Sequence, residues 1–239
     1  MQGEIWVIGD SHARIFSYNE NFMPFYVGNG RKHCFINDEC LSNVISRVLT
    51  VAKENIANHP MILVLGEPDT RFYLGRGWKP WKNKYKNGWK FLKRKYGFFL
   101  RRRSGIRKSF KRYCHLINNV KNKSNARLLI LNILPSNRKD QNKLVNYFNK
   151  LLSKFCAQEK DVEFIYINKD IYNSETKTIK EEYYGDSVHL NMMLQFLIED
   201  WLIKNAILEK SLYDKENNMD IEKIKSRYRF NERFGCYTM

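Results

Sequence analysis

Short apolar runs rich in branched residues alternate along this chain with stretches in which apolar residues recur every three or four positions. Five runs read as strands: Glu4 to Ile8, ended by Gly9; Pro24 to Val27, ended by Gly28; Met61 to Leu65, between Pro60 and Gly66; Leu128 to Leu134, before Pro135; and Val162 to Ile167. Leu41, Val44, Ile45, Val48, Ala52 and Ile56 form one helical stripe between the second and third strands. A second helix is expected over Asp140 to Gln158, with Leu144, Phe148, Leu151, Leu152 and Phe155 inward. A third begins near Leu190 and carries Leu194, Leu197 and Trp201. The alternation predicts an α/β protein in three layers, α/β/α, with helices on both faces of a mostly parallel sheet. No internal repeat is present.

The 239 residues suit one elaborated domain, and 43% hydrophobic with 14% aromatic content excludes a disordered chain. No stretch long enough to span a bilayer is free of charge, and Met1-Gln2-Gly3-Glu4 lacks the basic start of a signal peptide, so a cytoplasmic protein is expected. Five cysteines, Cys34, Cys40, Cys114, Cys156 and Cys236, form no C-x-x-C pair and read as reduced, mostly structural thiols. No metal-ligand spacing occurs, so no metal is expected.

Candidate chemistry lies near the two ends. Gly9-Asp10-Ser11-His12 directly follows the first strand, where a parallel sheet presents its carboxyl edge and binds ligands. A serine hydroxyl needs a base to take its proton and an acid to hold that base in the right tautomer. Both residue types occur in Tyr184-Gly185-Asp186-Ser187-Val188-His189, ahead of the last helix, where Asp186 and His189 are three residues apart.

This pairing of a G-D-S block after strand one with a C-terminal D-x-x-H resembles the SGNH/GDSL hydrolases. Leu131-Asn132-Ile133-Leu134-Pro135 and the helix after it also look like that family's fourth strand and following helix. The resemblance covers about the whole chain. It implies a five-stranded flavodoxin-like sheet, a Ser11–His189–Asp186 triad, no cofactor, and ester chemistry. In the family's second block a glycine gives a backbone N–H to the oxyanion; Gly28 matches best, with Gly30 as the alternative. The third block is usually G-x-N-D, but here it reads Gly66-Glu67-Pro68-Asp69-Thr70-Arg71. Proline cannot supply the Asn donor, and this G-E-x-D-x-R form is similar to SGNH-like proteins associated with bacterial surface-glycan genes. Arg71, with several donors in a fixed fork, is the expected replacement. The oxyanion hole is therefore assigned to Ser11, Gly28 and Arg71, and substrate contacts to Asp10, His12, Glu67 and Asp69.

The same residues admit other readings. Asp10 and Ser11 are ordinary turn and helix-capping residues, Asp186 with His189 could do the same before a helix, and Glu67, Asp69 and Arg71 could form a structural ion-pair network. Gly9-Asp10-Ser11-His12-Ala13 also approximates the nucleophile elbow of α/β-hydrolases, although that elbow follows several strands. The resemblance favours a serine esterase acting on O-acyl groups of a carbohydrate. The alternatives are an O-acyltransferase of a surface polysaccharide, with acetyl-CoA as a conceivable donor, and a non-catalytic glycan- or nucleic-acid-binding module.

Charge divides the chain. Of 42 Lys and Arg, 22 fall between Arg71 and Lys139 with no Asp or Glu, leaving the rest at a net −5. Trp78, Trp81, Tyr85, Trp89, Phe91, Tyr96, Phe98 and Phe99 interleave with these cations, and the segment, about 72–127, reads as an insertion. After Ser104, a plausible N-cap, Ile106, Phe110, Tyr113, Ile117 and Val120 share one helical face. Residues 76–112 are expected to contact an anionic membrane from the cytoplasmic side, near a lipid-linked glycan or other acylated carbohydrate; an acidic polysaccharide or the phosphates of an acyl carrier fit the same charge, a solvated lid over the site is the plain alternative, and nucleic acid is disfavoured. The domain is assigned to 1–213, and 214–239 to a polar extension packed as a helix or tail.

Overall fold

The structure is a computed structural model that describes residues 5–19, 21–27, 35, 38–55, 57–70, 89–136, 139–173, 175–176, 178–185, 190–209, 229–231 and 236–238. Strands β1 (Ile5–Gly9), β2 (Phe22–Tyr26), β3 (Met61–Val64), β4 (Leu128–Leu131) and β5 (Val162–Ile165) pair in parallel in the order β5-β4-β3-β1-β2. This is the expected flavodoxin-like sheet.

Alternation within the strands builds the layers. Trp6, Ile8, Met61, Leu63, Leu128 and Ile130 face one core, where helices α1 (Asp38–Glu54), α2 (Trp89–Lys121) and α3 (Lys139–Cys156) pack. Ile5, Val7, Ile62, Val64, Leu129 and Leu131 face the other. That second face is covered by a 3-10 helix (Ser11–Tyr18), by α4 (Asn168–Ile171) and by α5 (Met193–Lys204). Strands β1, β3 and β4 are apolar on both sides because both sides are covered, while the edge strand β5 carries the partly exposed Glu163.

Three expectations change. Strand β4 stops at Leu131, not Leu134, because the Asn132 side chain takes over: its Oδ1 accepts from Ile167 N at 2.9 Å and its Nδ2 donates to Asn168 Oδ1 at 2.6 Å. Helix α2 runs unbroken for 33 residues, with Ser104 exposed inside it and not at its start. Its buried row, including Ile106, Tyr113, Ile117 and Val120, is the one the sequence predicts. Finally, the described part of the C-terminal extension, expected as a helix or tail, is a hairpin of β8 (Arg229–Asn231) and β9 (Cys236–Thr238), the rest of 214–239 lying outside the described residues. It joins the outer side of β2 antiparallel, through the pair Tyr26↔Tyr237. Pro24, which has no N–H to give, lies two residues from that contact. A minor hairpin, β6 (Tyr172–Asn173) and β7 (Thr178–Ile179), stands apart from the main sheet. No helix among the described residues is long and apolar enough to cross a membrane.

Candidate active site

From β1 the chain passes to β2 on one side and then to β3 on the other, so the carboxyl ends of three adjacent strands meet where the sheet order reverses. Past the end of β1, Asp10 N donates to Val64 O at 3.0 Å and Val27 N donates to Gly9 O at 2.9 Å. Gly9 is required by this closeness. A Cβ there would run into the Val64 carbonyl oxygen and come within 2.9 Å of Val64 Cβ and 3.1 Å of Ala13 Cβ.

Asp10 then caps the 3-10 helix. Its Oδ1 accepts from His12 N at 3.0 Å and lies 3.0 Å from His12 Nδ1. A carboxylate facing Nδ1 requires a hydrogen on that nitrogen, so the imidazole has a fixed orientation. Asp10 and His12 are both buried, at 4% and 2% exposure, whereas Ser11 between them is half-buried. The two expected substrate contacts thus build the turn that carries the serine.

The third block forms a helical turn over 67–70 after Gly66, whose φ of 107° is the left-handed region natural to glycine. Both carboxylates of this turn are buried. Glu67 Oε1 accepts from Gln141 Nε2 at 2.7 Å, and Asp69 Oδ1 accepts from Phe35 N at 2.9 Å and Ser109 Oγ at 3.3 Å. These bonds join the turn to α3 and α2 respectively, and all three donors are uncharged groups.

On the C-terminal side, an antiparallel bridge between Tyr184 and Leu190 closes the loop that contains D-x-x-H, and Asn191 N donates to Tyr183 O at 3.0 Å. Leu190 and Leu194 are buried in the same cluster as Ala13, Phe16 and Val64. Helix α5, which follows that loop, packs on the 3-10 helix that begins at Ser11. Burial, aided by the nearby charges of Glu182, Asp170 and Asp200, raises the Tyr183 phenol above its ordinary pKa and keeps it protonated. Asp186, His189, Gly28, Gly30 and Arg71 lie outside the described residues.

Several supporting residues escaped the sequence reading. Asn149 brackets Ile133, accepting from its N at 2.7 Å and donating to its O at 2.8 Å, and Asn142 brackets Ser136 N and O at 2.9 and 2.7 Å. With Gln141 and Ser109 they hold the chain after β4 and the turn after β3. The available signal was a polar amide set among inward-facing apolar positions, as Asn149 is beside Phe148 and Leu152. Such a residue must find buried partners.

No protein-family model matches the chain, and no curated protein resembles it in sequence. Similarity appears in solved structures. A Bacteroides fragilis protein assigned as an acylhydrolase superposes with a TM-score of 0.56 at 12% identity, covering 86% of each chain. A GDSL-like lipase from Bacteroides thetaiotaomicron gives 0.51 at 13% identity, covering 86% of this chain and 87% of its own. The chain has the SGNH/GDSL hydrolase fold.

Proposed function

We propose that this protein is a serine esterase that removes O-acyl groups from a carbohydrate. Ser11 Oγ attacks the ester carbonyl while His189 takes its proton, and Asp186 holds the imidazole in the competent tautomer. The oxyanion rests on the backbone N–H groups of Ser11 and Gly28, with Arg71 in place of the missing Asn. As the ester C–O bond breaks, His189 gives its proton to the departing sugar oxygen, which leaves as a hydroxyl; water, deprotonated by the same imidazole, then releases the acid from Ser11.

One observation carries this reading: Ser11 stands at the carboxyl end of β1, on a turn whose next apolar residues, Ala13 and Phe16, share a core with Leu190. That shared core supports a meeting of Ser11 with the D-x-x-H loop that precedes Leu190. Similarity to an acylhydrolase and a lipase supports ester bonds as the target class, and the G-E-P-D-T-R block supports a glycan as the acyl bearer.

The test is labelling by a fluorophosphonate probe, with acetate release from an acetylated glycan measured in parallel. Wild type should label and release acetate, and Ser11→Ala should do neither while keeping its melting temperature. Absence of labelling in wild type would turn the assignment toward a glycan-binding module. Gain of glycan acetyl groups on adding acetyl-CoA would assign transfer in place of hydrolysis.

A further inference from the structure

Helix α2 contains twelve Lys or Arg and no Asp or Glu among its 33 residues, and at 1.5 Å per residue it is about 50 Å long. Its described core residues lie in the carboxyl half. Ile106, Tyr113, Leu116, Ile117 and Val120 are buried with α1 and α3 against the sheet.

Helical spacing brings several of the cations into register. Lys90, Arg94, Arg101 and Lys108 are separated by four, seven and seven residues and fall on one line along the helix; Lys90 and Lys108 are about five whole turns apart. Lys93 and Lys111 flank that line with the same separation. Where side chains are described, the face is open: Arg107, Lys108 and Lys111 are exposed. The next helix in the layer adds exposed Lys143, Lys150 and Lys154.

We propose that this cationic face of α2 docks the protein on an anionic lipid bilayer, by surface electrostatics and without insertion. A row of about 27 Å along one helix puts several cations in register for a flat anionic partner. Single-strand nucleic acid is the competing polyanion, but it is bound by aromatic platforms interleaved with the cations. No Trp, Tyr or Phe falls on the line of Lys90, Arg94, Arg101 and Lys108, where Gly97 and Ser104 are the intervening residues. The inference is independent of the ester chemistry and makes no use of it.

The experiment is sedimentation of the full chain with phosphatidylcholine vesicles made with and without phosphatidylglycerol. A single-stranded oligonucleotide is assayed in the same buffer. Binding is expected only with phosphatidylglycerol and should fall steeply as salt is raised. Each cation removed from the line should weaken partition about fivefold, so K90Q/R94Q/R101Q/K108Q should lose several hundred-fold. K53Q/K160Q/K169Q/K204Q removes four exposed cations elsewhere and should lose far less. Unchanged melting temperatures will show that both variants fold. Equal losses in the two variants, no binding by wild type, or tighter retention of the oligonucleotide than of the anionic vesicles would each overturn the proposal.

Discussion

Asp69 and Ser109 are 40 positions apart in sequence and joined by a hydrogen bond of 3.3 Å inside the protein, which fixes the turn after β3 to the middle of α2. The same Asp69 oxygen also receives the backbone N–H of Phe35. Asp69→Ala would take this acceptor from the Phe35 N–H in a dry site, whereas Ser109 Oγ keeps Phe35 O as an acceptor at 3.1 Å. An unmade buried hydrogen bond costs about 1–3 kcal/mol, and a loss of that size is expected from urea unfolding. Asp69→Asn retains one acceptor oxygen and should lose less. A change below about 0.5 kcal/mol for Asp69→Ala, the size typical of neutral surface changes, would contradict this role.

Gly9→Ala tests the closeness of β1 to β3. Its new methyl meets the carbonyl oxygen of Val64, a backbone atom that cannot rotate away. Overpacking ordinarily costs about 1–3 kcal/mol, and backbone contact places this change at or above the upper end. Because the displaced strand ends carry Ser11, esterase activity should fall along with the melting temperature. Normal stability in Gly9→Ala would show that the two strands have room the structure does not give them.

Asp10→Ala removes a helix cap and the partner of a buried imidazole in one step. The cap is worth about 0.5–2 kcal/mol and the orphaned ring nitrogen about 1–3 kcal/mol. Asp10→Asn keeps an oxygen for the His12 N–H and should recover most of the cap. Thermal unfolding of the two variants separates these contributions, and equal loss in both would assign the whole effect to charge.

The five parallel strands were legible because each is a continuous apolar run, and β1, β3 and β4 supply alternate residues to two covered faces. The C-terminal hairpin was not. Three-residue strands such as Arg229–Asn231 and Cys236–Thr238 are too short to display a period, and they form by pairing with the open side of β2. The length of α2 was hidden by Ser104, read as an N-cap that starts a helix, a local signal that packing overrides: Gly105 is buried within a helix held by Ile106 and Tyr113. At the site, G-D-S marked the serine, but its neighbours' roles depended on burial. Asp10 and His12 bond to one another, while Glu67 and Asp69 accept from Gln141 and Ser109, partners on distant elements that motif spacing cannot reveal.

His189→Ala and Asp186→Asn should differ in degree. Loss of the base should abolish turnover, whereas Asp186→Asn should retain a small residue of activity, because the imidazole survives in the wrong tautomer; in a serine protease the equivalent change costs about ten-thousandfold. Steady-state rates with a chromogenic ester measure both. Full turnover in His189→Ala would remove it from the mechanism whatever happens to Ser11.

Cys114 on α2 and Cys156 at the end of α3 give a prediction in pH. Burial pushes both thiols from 9.0 up to about 12, and the Glu159 carboxylate adds to both shifts. The folded state therefore keeps these protons through a range in which an unfolded chain has released them. Below pH 9.0 both states bind the protons equally, so the two thiols add no pH dependence. Between pH 9.0 and about 12 the unfolded state binds fewer, and stability declines as pH rises. Replacing both by alanine should leave a shallower decline in urea midpoint above pH 9.0 than wild type shows. At pH 8 only about one such thiol in ten thousand is ionised, so alkylation by iodoacetamide should be slow in buffer and become rapid in denaturant. An identical alkaline slope in the double variant, or fast alkylation of the folded protein at these two positions, would show that neither thiol is held protonated by the helix packing.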